Sequence, residues 1–197
     1  MNPKIEKLIK LFAKLPRVGS RGGQRIALAL LQDKTGRAMA LADAISDAVE
    51  NIAPCTNCGV LTARGCACEF CRDVNRANGQ LCIVRDLSDV WVLEKSSVFH
   101  GRYHIIGGLL SGATGTLPQD LNLSTLRDRI DSESVSEIIF ALPNTVEGKT
   151  TQHYIMSMIG ESDIVFSELA SGVPLGGDLD YLDDGTLTLA FGGRKTL

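Results

Sequence analysis

Residues 55–71 read CTNCGVLTARGCACEFC, and this stretch divides the chain into parts of different composition. It contains two C-x-x-C pairs, Cys55 with Cys58 and Cys68 with Cys71, separated by nine residues. Thiolates at this spacing converge from two tight turns on one ion, and four of them complete a tetrahedron. The pattern predicts a closed, structural zinc site with no coordination position open to a substrate.

Two further cysteines bear on the choice of ligands. Cys66 precedes Cys68 by two residues, so three thiols are offered for two places, but Cys68 with Cys71 repeats the spacing of the first pair. Cys66 is therefore the predicted spare, and Cys82, in an apolar run, is a predicted core residue. Because the N-terminus lacks a signal-peptide pattern, we expect a reducing cytoplasm, where such pairs indicate metal binding rather than disulfides.

The segments on the two sides of the cysteines carry opposite charge. Residues 1–37 contain nine basic and two acidic residues, a local charge of +7, whereas the whole chain has a net charge of −3. A polyanion is attracted to the first segment and repelled by much of the rest, although a solvated helix face is an alternative explanation. No apolar run reaches the length of about 18 residues that predicts a membrane span.

The basic segment shows the periodicity of helices. Apolar residues recur at helical spacing over residues 4–15, 21–31 and 37–52, and Pro54 ends the third stretch. A Pro/Gly turn at residues 15–20 joins the first two stretches. The sequence thus predicts a helical hairpin followed by a third helix.

The start of the second helix is a candidate phosphate site. Ser20 is predicted to cap this helix, whose first backbone N–H groups point outward, where a phosphate can accept them. Arg21 and Arg25 lie four residues apart and so on one helical face. Together these groups predict a clamp on phosphates that reads no base sequence. An ordinary helical hairpin with solvated arginines is the alternative.

The chain after Cys71 alternates between short apolar runs and helix-like stretches. Predicted strands cover residues 81–84, 90–93, 103–106, 138–142, 164–166 and 187–191, and predicted helices cover residues 123–130 and 150–159. This alternation indicates an α/β domain with a largely parallel sheet covered on both faces.

A loop at residues 143–148, PNTVEG, follows a predicted strand and precedes a helix. Carboxylates at such a strand end could hold Mg²⁺ for phosphoryl transfer, but Glu147 is the one acidic residue in the loop. The scattered His100, His104 and His153 are predicted to be structural. No Gly-rich phosphate loop ending in Lys-Ser/Thr is present, so the sequence does not predict ATP hydrolysis.

Together these segments resemble the RecR family of bacterial recombination mediators over essentially the whole chain. The resemblance is carried by LPRVGSRGGQRIALALL, CTNCGVLTARGCACEFCRD, LCIVRDLSDVWVLEKS, GRYHIIGG, NTVEGKTTQHYI and ASGVPLGGDLDYLDDGTLTLAFGGR.

The resemblance implies four parts. These are a helix-hairpin-helix region at residues 1–53, a four-cysteine zinc finger at residues 54–75, a Toprim domain at residues 79–174 and a swapped C-terminal segment for oligomer contacts at residues 175–197. It also implies one structural Zn²⁺ per chain and a homotetrameric ring that encircles gapped or double-stranded DNA. Such rings work with RecO and RecF and help load RecA at single-strand gaps, in the cytoplasm at the nucleoid.

The resemblance also assigns roles to residues. In the family a basic pair just beyond the hairpin turn contacts DNA, and Arg21 and Arg25 occupy those positions. The wider set of predicted site residues adds Arg17, Gly19 and Lys14 as DNA contacts and Glu147 as a partner contact.

Departures from the family pattern affect two sites. The hairpin usually reads L-P-G-[IV]-G, and Arg17 stands at the first Gly, which costs about 1 kcal/mol or more if the position needs a positive φ. Arg85 stands where a Toprim domain usually has Glu, and Glu168 stands where the family often has Arg.

The Toprim comparison bears on catalysis as well. Enzymatic relatives carry D-x-D-x-E-G in the loop, and Pro143 and Thr145 replace the two aspartates here. We therefore predict a protein without catalytic activity. The rival hypothesis is a Mg²⁺-dependent nuclease or topoisomerase-like enzyme, which needs those carboxylates. A third hypothesis is a zinc-bearing adaptor that never touches DNA.

Overall fold

The computed structural model describes residues 1–33, 35–170, 172–173, 176 and 178–193. The chain forms two compact units, residues 1–52 and residues 53–197. Among the helices of the described residues, none is long and apolar enough to cross a membrane.

The first unit contains three helices, α1 (Pro3–Ala13), α2 (Gly19–Leu31) and α3 (Arg37–Asn51), close to the predicted ranges. Asn2 caps α1 by accepting a hydrogen bond from the Lys4 N–H at 2.9 Å. The predicted cap at Ser20 is wrong, because α2 already begins at Gly19 and no side chain caps it.

Helices α1 and α2 approach each other closely at Gly23. A Cβ on Gly23 would lie 2.8 Å from both the backbone N of Ala13 and the carbonyl oxygen of Ile9. Only glycine fits between these backbones without moving them. Gly23 and Ala27 are the buried residues of α2, whereas α1 and α3 contain no buried residue.

A small two-stranded sheet of β1 (Ile52–Pro54) and β2 (Leu61–Ala63) starts at the last residue of the first unit and otherwise belongs to the second. The short helix α4 (Glu69–Arg72) follows it. The main sheet of the second unit has four strands in the order β4-β3-β5-β6, all parallel. Their bounds are β3 (Gln80–Val84), β4 (Arg102–Ile105), β5 (Glu137–Ala141) and β6 (Val165–Glu168). The predicted parallel α/β architecture is confirmed.

Four longer helices belong to this unit: α5 (Leu87–Ser96), α6 (Leu126–Ser132), α7 (Val146–Ile159) and α8 (Asp184–Gly192). Single 3₁₀ turns occur at Val74–Arg76, Pro118–Asp120 and Leu179–Tyr181.

Two predicted strands are helices in the structure. Residues 90–93 lie in α5, where Asp86 accepts the Ser88 N–H at 2.9 Å and Asp89 accepts the Asp86 N–H at 3.2 Å, a capping box that starts the helix. Residues 187–191 lie in α8, which Asp183 caps at the Thr186 N–H. The β-branched and apolar composition suggested strands, but the caps decide the local structure.

The core packs against both faces of the main sheet because alternate strand residues point to opposite sides. Leu81 and Ile83 of β3 join a cluster with α6 and α7, whereas Cys82 and Val84 join a second cluster with α5. That second cluster also contains Cys55, Cys58 and Cys68. The cysteine segment is therefore part of the core of this unit, and the predicted buried position of Cys82 is confirmed.

Candidate metal centre and nucleic-acid interface

The structure brings the four cysteines of the two C-x-x-C pairs together. The sulfur atoms of Cys55, Cys58, Cys68 and Cys71 lie within 4.8 Å of one another. Three of these residues are buried and Cys71 is half-buried. Cys66, the predicted spare, is exposed and lies outside the cluster.

Two backbone turns place these sulfur atoms. In the first turn the Cys55 N–H donates to the Val60 carbonyl at 2.8 Å, and the Gly59 N–H donates to the Cys55 carbonyl at 2.9 Å. Gly59 has a φ of 79°, and a Cβ there would lie 2.9 Å from the Ile105 carbonyl oxygen, so the turn requires glycine. In the second turn, Cys68 precedes α4 and Cys71 lies within it.

Thiols of the cluster lie within hydrogen-bonding distance of one another. The Sγ atoms of Cys58 and Cys68 are 3.3 Å apart. Hydrogen bonds from Cys58 and Cys71 lower the pKa of the Cys68 thiol to about 2, whereas the hydrogen bond to Cys68 raises the pKa of the Cys58 thiol. A cation with an affinity for sulfur would replace the thiol protons. A closed set of four thiols fits a structural zinc ion by its donor chemistry.

The turn between α1 and α2 has an unusual backbone. Arg17 has a φ of 63° and Gly19 a φ of 62°, both in the left-handed region. The strain predicted for a side chain at Arg17 therefore applies, at about 1–2 kcal/mol. Gly19 has no atom within 4 Å of a Cβ, so its backbone conformation, rather than crowding, favours glycine there.

Basic side chains surround this turn. Lys14, Arg17, Arg21 and Arg25 are all exposed, and within the described part of the chain none of them forms an ion pair. Because no side chain caps α2, its first N–H groups also lack a side-chain acceptor. The predicted DNA contacts are thus exposed residues of this turn and of the first half of α2, and whether they contact DNA stays a prediction.

The loop after β5 is shaped by its glycine. A Cβ on Gly148 would lie 1.9 Å from the Pro143 carbonyl oxygen, which excludes any other residue. Thr145 caps α7 by accepting the Gly148 N–H at 3.2 Å. Glu147 lies half-buried in the first turn of α7, and its carbonyl accepts the Thr151 hydroxyl at 2.7 Å.

The two charged residues of the Toprim region that depart from the family pattern, Arg85 and Glu168, are paired in the structure. Arg85 forms an ion pair with Asp86 at 2.9 Å, and Lys149 forms one with Glu168. Among the described residues, the four cysteines are the one group of three or more Cys, His, Asp or Glu placed to share a metal ion.

Sequence reasoning missed a buried charged group beside the cysteines. Arg129 is 4% exposed and its Nη2 lies 3.9 Å from the Cys71 Sγ. Arg129 also forms an ion pair with Glu133, which in turn pairs with Arg102. Since 58 residues separate Arg129 from Cys71, no local pattern in the sequence indicates this contact.

The helical unit, the cysteine cluster and the parallel α/β unit define a Toprim protein with an N-terminal helix-hairpin-helix region. Residues 79–170 match the model of the Toprim domain. Residues 5–49 match "RecR, helix-hairpin-helix", and residues 172–195 match "RecR, C-terminal".

Curated relatives match along nearly the whole chain. Recombination protein RecR of Maricaulis maris (strain MCS10) is 45% identical over 195 residues, which cover 99% of this chain and 96% of the relative. The protein of the same name from Ruegeria sp. (strain TM1040) is 44% identical over 196 residues, which cover 100% of this chain and 98% of the relative. The chain therefore belongs to the RecR family, and the resemblance predicted from the sequence is confirmed.

Proposed function

We propose that this chain is a DNA repair and recombination mediator that binds DNA as a ring-shaped clamp and carries out no chemistry itself. The observation that carries the proposal is the exposed basic turn at residues 14–25, on a segment with a local charge of +7. Membership of the RecR family, whose relatives are named recombination proteins, supports the same role. The protein would act in the cytoplasm, at the nucleoid.

Contacts with DNA would be made to the phosphates. Arg21 and Arg25 lie on one face of α2, and Lys14 and Arg17 lie in the turn before it. The helix begins at Gly19, and its first backbone N–H groups have no side-chain acceptor. Arginine side chains and helix N-termini both bind phosphate oxygens well, and contacts to phosphates carry no sequence information. Binding would therefore be independent of sequence and sensitive to salt.

The homotetramer is part of this proposal, supported by the apolar surface of the first unit. Helix α3 exposes Leu41, Ile45 and Val49, with Ile45 54% exposed. A groove of about 390 Å³ runs along this unit, lined by side chains of all three helices. A monomer gains nothing from exposing such a surface, whereas a second copy of the chain would bury it.

We further propose that Cys55, Cys58, Cys68 and Cys71 hold one Zn²⁺. Such an ion supplies a cross-link between two turns and has no open position for a substrate. The cysteines would thereby fix β1, β2 and α4 against the core of the second unit, consistent with their place in its apolar cluster.

The absence of catalysis is supported by the chemistry of the Toprim loop. Pro143 and Thr145 stand where enzymatic Toprim domains have aspartates, and neither can bind Mg²⁺ through a carboxylate. Arg85, at the end of β3, brings a guanidinium rather than a carboxylate to this position and pairs with Asp86. We propose that Glu147 instead contacts a partner, and that the partners are RecO and RecF, which with this ring help load RecA at gaps.

Charge reversal of the turn tests the proposal. We expect the double variant Arg21→Glu and Arg25→Glu to lose binding to gapped DNA in a gel shift at low salt. Where residual binding is measurable, the slope of log K against log salt should fall by about two. The matched control is Lys4→Glu with Lys7→Glu, which makes the same charge change on exposed positions of α1. If both double variants bind equally well, the clamp assignment is wrong.

A further inference from the structure

Arg129 connects the cysteine cluster to the main sheet. It lies in α6, and its side chain is 4% exposed. One Nη atom donates to the Tyr103 carbonyl of β4 at 2.5 Å, and the other lies 3.9 Å from the Cys71 Sγ. A single guanidinium thus contacts a strand of the sheet and a sulfur of the cluster at the same time.

Among the described residues, the ion pairs of Arg129 and Arg102 involve a single carboxylate. Arg129 pairs with Glu133 at 2.8 Å, and Arg102 pairs with the same carboxylate at 3.1 Å. Although burial opposes ionisation, hydrogen bonds from Arg129 and Arg102 hold the pKa of Glu133 below its usual value, so this group is ionised. Two guanidinium groups therefore share one carboxylate, and one positive charge is left over in a region that is largely shielded from water.

Histidine does not change this balance. The ring of His104 lies 3.5 Å from Arg129 and is fully buried. Its Nε2 is 2.7 Å from the Asn122 carbonyl, and burial lowers its pKa to about 4. His104 is therefore neutral at physiological pH and contributes no charge to the cluster.

Four thiolates around a divalent cation carry a net negative charge. This charge would offset the positive charge of Arg129 and Arg102 that Glu133 alone does not neutralise. We propose that Arg129 is a positioning residue of the metal centre, whose guanidinium offsets the thiolate charge at Cys71 and couples metal occupancy to the packing of β4 and α6. This inference rests on the metal-binding part of the proposed function.

Neighbouring contacts extend the coupling along β4. The Ile105 N–H donates to the Cys58 carbonyl at 2.7 Å. The rings of Phe70 in α4 and Tyr103 in β4 meet edge to face with centroids 5.3 Å apart. The two cysteine turns are thus each attached to β4, and Arg129 adds a charged contact to the Cys71 sulfur itself.

Zinc affinity measured by competition with a chromophoric chelator tests the inference. Partners that hold metal ligands in place typically change metal affinity about 10–100-fold when they are removed, and we expect Arg129→Gln to weaken Zn²⁺ binding by this factor. Arg129→Lys, which keeps the charge, should lose less. Arg127→Gln is the matched control, because Arg127 is an exposed arginine of the same helix, and it should bind Zn²⁺ like wild type.

Cobalt substitution gives a readout that a purely structural role would not move. With Co²⁺ in the site, loss of the guanidinium should shift the thiolate-to-cobalt charge-transfer band in Arg129→Gln and leave it unchanged in Arg127→Gln. If wild type and Arg129→Gln have the same zinc affinity and superimposable cobalt spectra, the inference is wrong while the metal site stands. If wild type retains no zinc, the metal part of the proposed function fails, and the inference fails with it.

Hydrogen exchange on the wild-type protein tests the coupling between the metal site and α6 even if Arg129→Gln does not fold. Removal of zinc should raise amide exchange in α6 as well as in the cysteine turns, because the ion that would hold the Cys71 sulfur beside Arg129 is then missing. Unchanged exchange in α6 after zinc removal would overturn the coupling.

Discussion

The two units of this chain differ in how they bury their apolar side chains. The second unit has two buried clusters, one on each face of a four-stranded sheet. In the first unit, α1 and α3 bury no residue, and the buried positions of α2 are Gly23 and Ala27. The second unit has the core of an independent domain, whereas the first unit leaves many of its large apolar side chains exposed.

This difference indicates where each unit obtains its stability. Burial of apolar surface is the main favourable contribution to folding, and small units that lack it depend on metals or on association. In the second unit three of the four cysteines lie inside one of the clusters and Cys71 packs against it, so a bound ion would add to an existing core. In the first unit the apolar face of α3 would be buried by a second copy. Substitutions in each unit separate these two sources of stability.

The largest effect is expected at the cysteines. Cys68→Ser removes one of four ligands from a buried site, and we expect it to lose stoichiometric zinc and to lower the free energy of unfolding of the second unit by more than about 5 kcal/mol. Metal analysis and urea unfolding measure both quantities. Cys66→Ser is the matched control, because Cys66 is exposed and outside the cluster. If Cys66→Ser loses zinc and Cys68→Ser retains it, Cys66 rather than Cys68 is the fourth metal ligand.

Association is expected to respond to α3. Ile45→Glu places a charge on the exposed apolar face, and in a symmetric interface each substitution acts twice, so we expect a loss of at least about 3 kcal/mol of association free energy. Light scattering should show smaller particles, while the unfolding of the second unit is unchanged. Ile45→Val keeps the face apolar and should keep the assembly. A tetramer that survives Ile45→Glu would place the interface elsewhere.

Close packing of α1 on α2 gives an effect confined to the first unit. The Cβ of Gly23→Ala would lie 2.8 Å from backbone atoms of α1, so we expect a destabilisation of about 1–3 kcal/mol. Gly22→Ala is the matched control, because its Cβ would approach only the Val18 side chain, which can move. Circular dichroism during urea unfolding distinguishes the two variants. Equal stability of Gly23→Ala and wild type would contradict the packing shown at this helix crossing.

Much of this architecture is predictable from local patterns. The cysteine spacing predicts the cluster, since two turns of the same length bring four sulfurs together. Helical periodicity predicts α1 to α3, and apolar runs predict all four parallel strands. The errors at residues 90–93 and 187–191 have one cause: apolar runs there suggested strands, whereas Asp86 and Asp183 cap helices.

Contacts between residues that are far apart in the chain could not be predicted from the sequence. Arg129 meets Cys71 because α6 packs beside the cysteine turns, and no spacing rule relates the two residues. The ion pair between Arg85 and Asp86 could likewise not be predicted from a sequence motif, because oppositely charged residues that are adjacent in sequence need not form an ion pair. Charge balance in a buried cluster follows from tertiary packing, which a single sequence does not reveal.

The smallest effect is expected at Arg17, where stability and binding should change in opposite directions. Arg17→Gly relieves a left-handed strain of about 1–2 kcal/mol, but glycine adds about 0.4–1 kcal/mol of conformational entropy to the unfolded chain, so we expect a net gain of about 0.5 kcal/mol. The same change removes one phosphate contact and should weaken DNA binding, with a salt slope lower by about one. Arg17→Ala separates the two contributions, because it removes the charge and keeps the strain. A loss of stability in Arg17→Gly would mean that the arginine side chain stabilises the turn by more than its backbone strain costs.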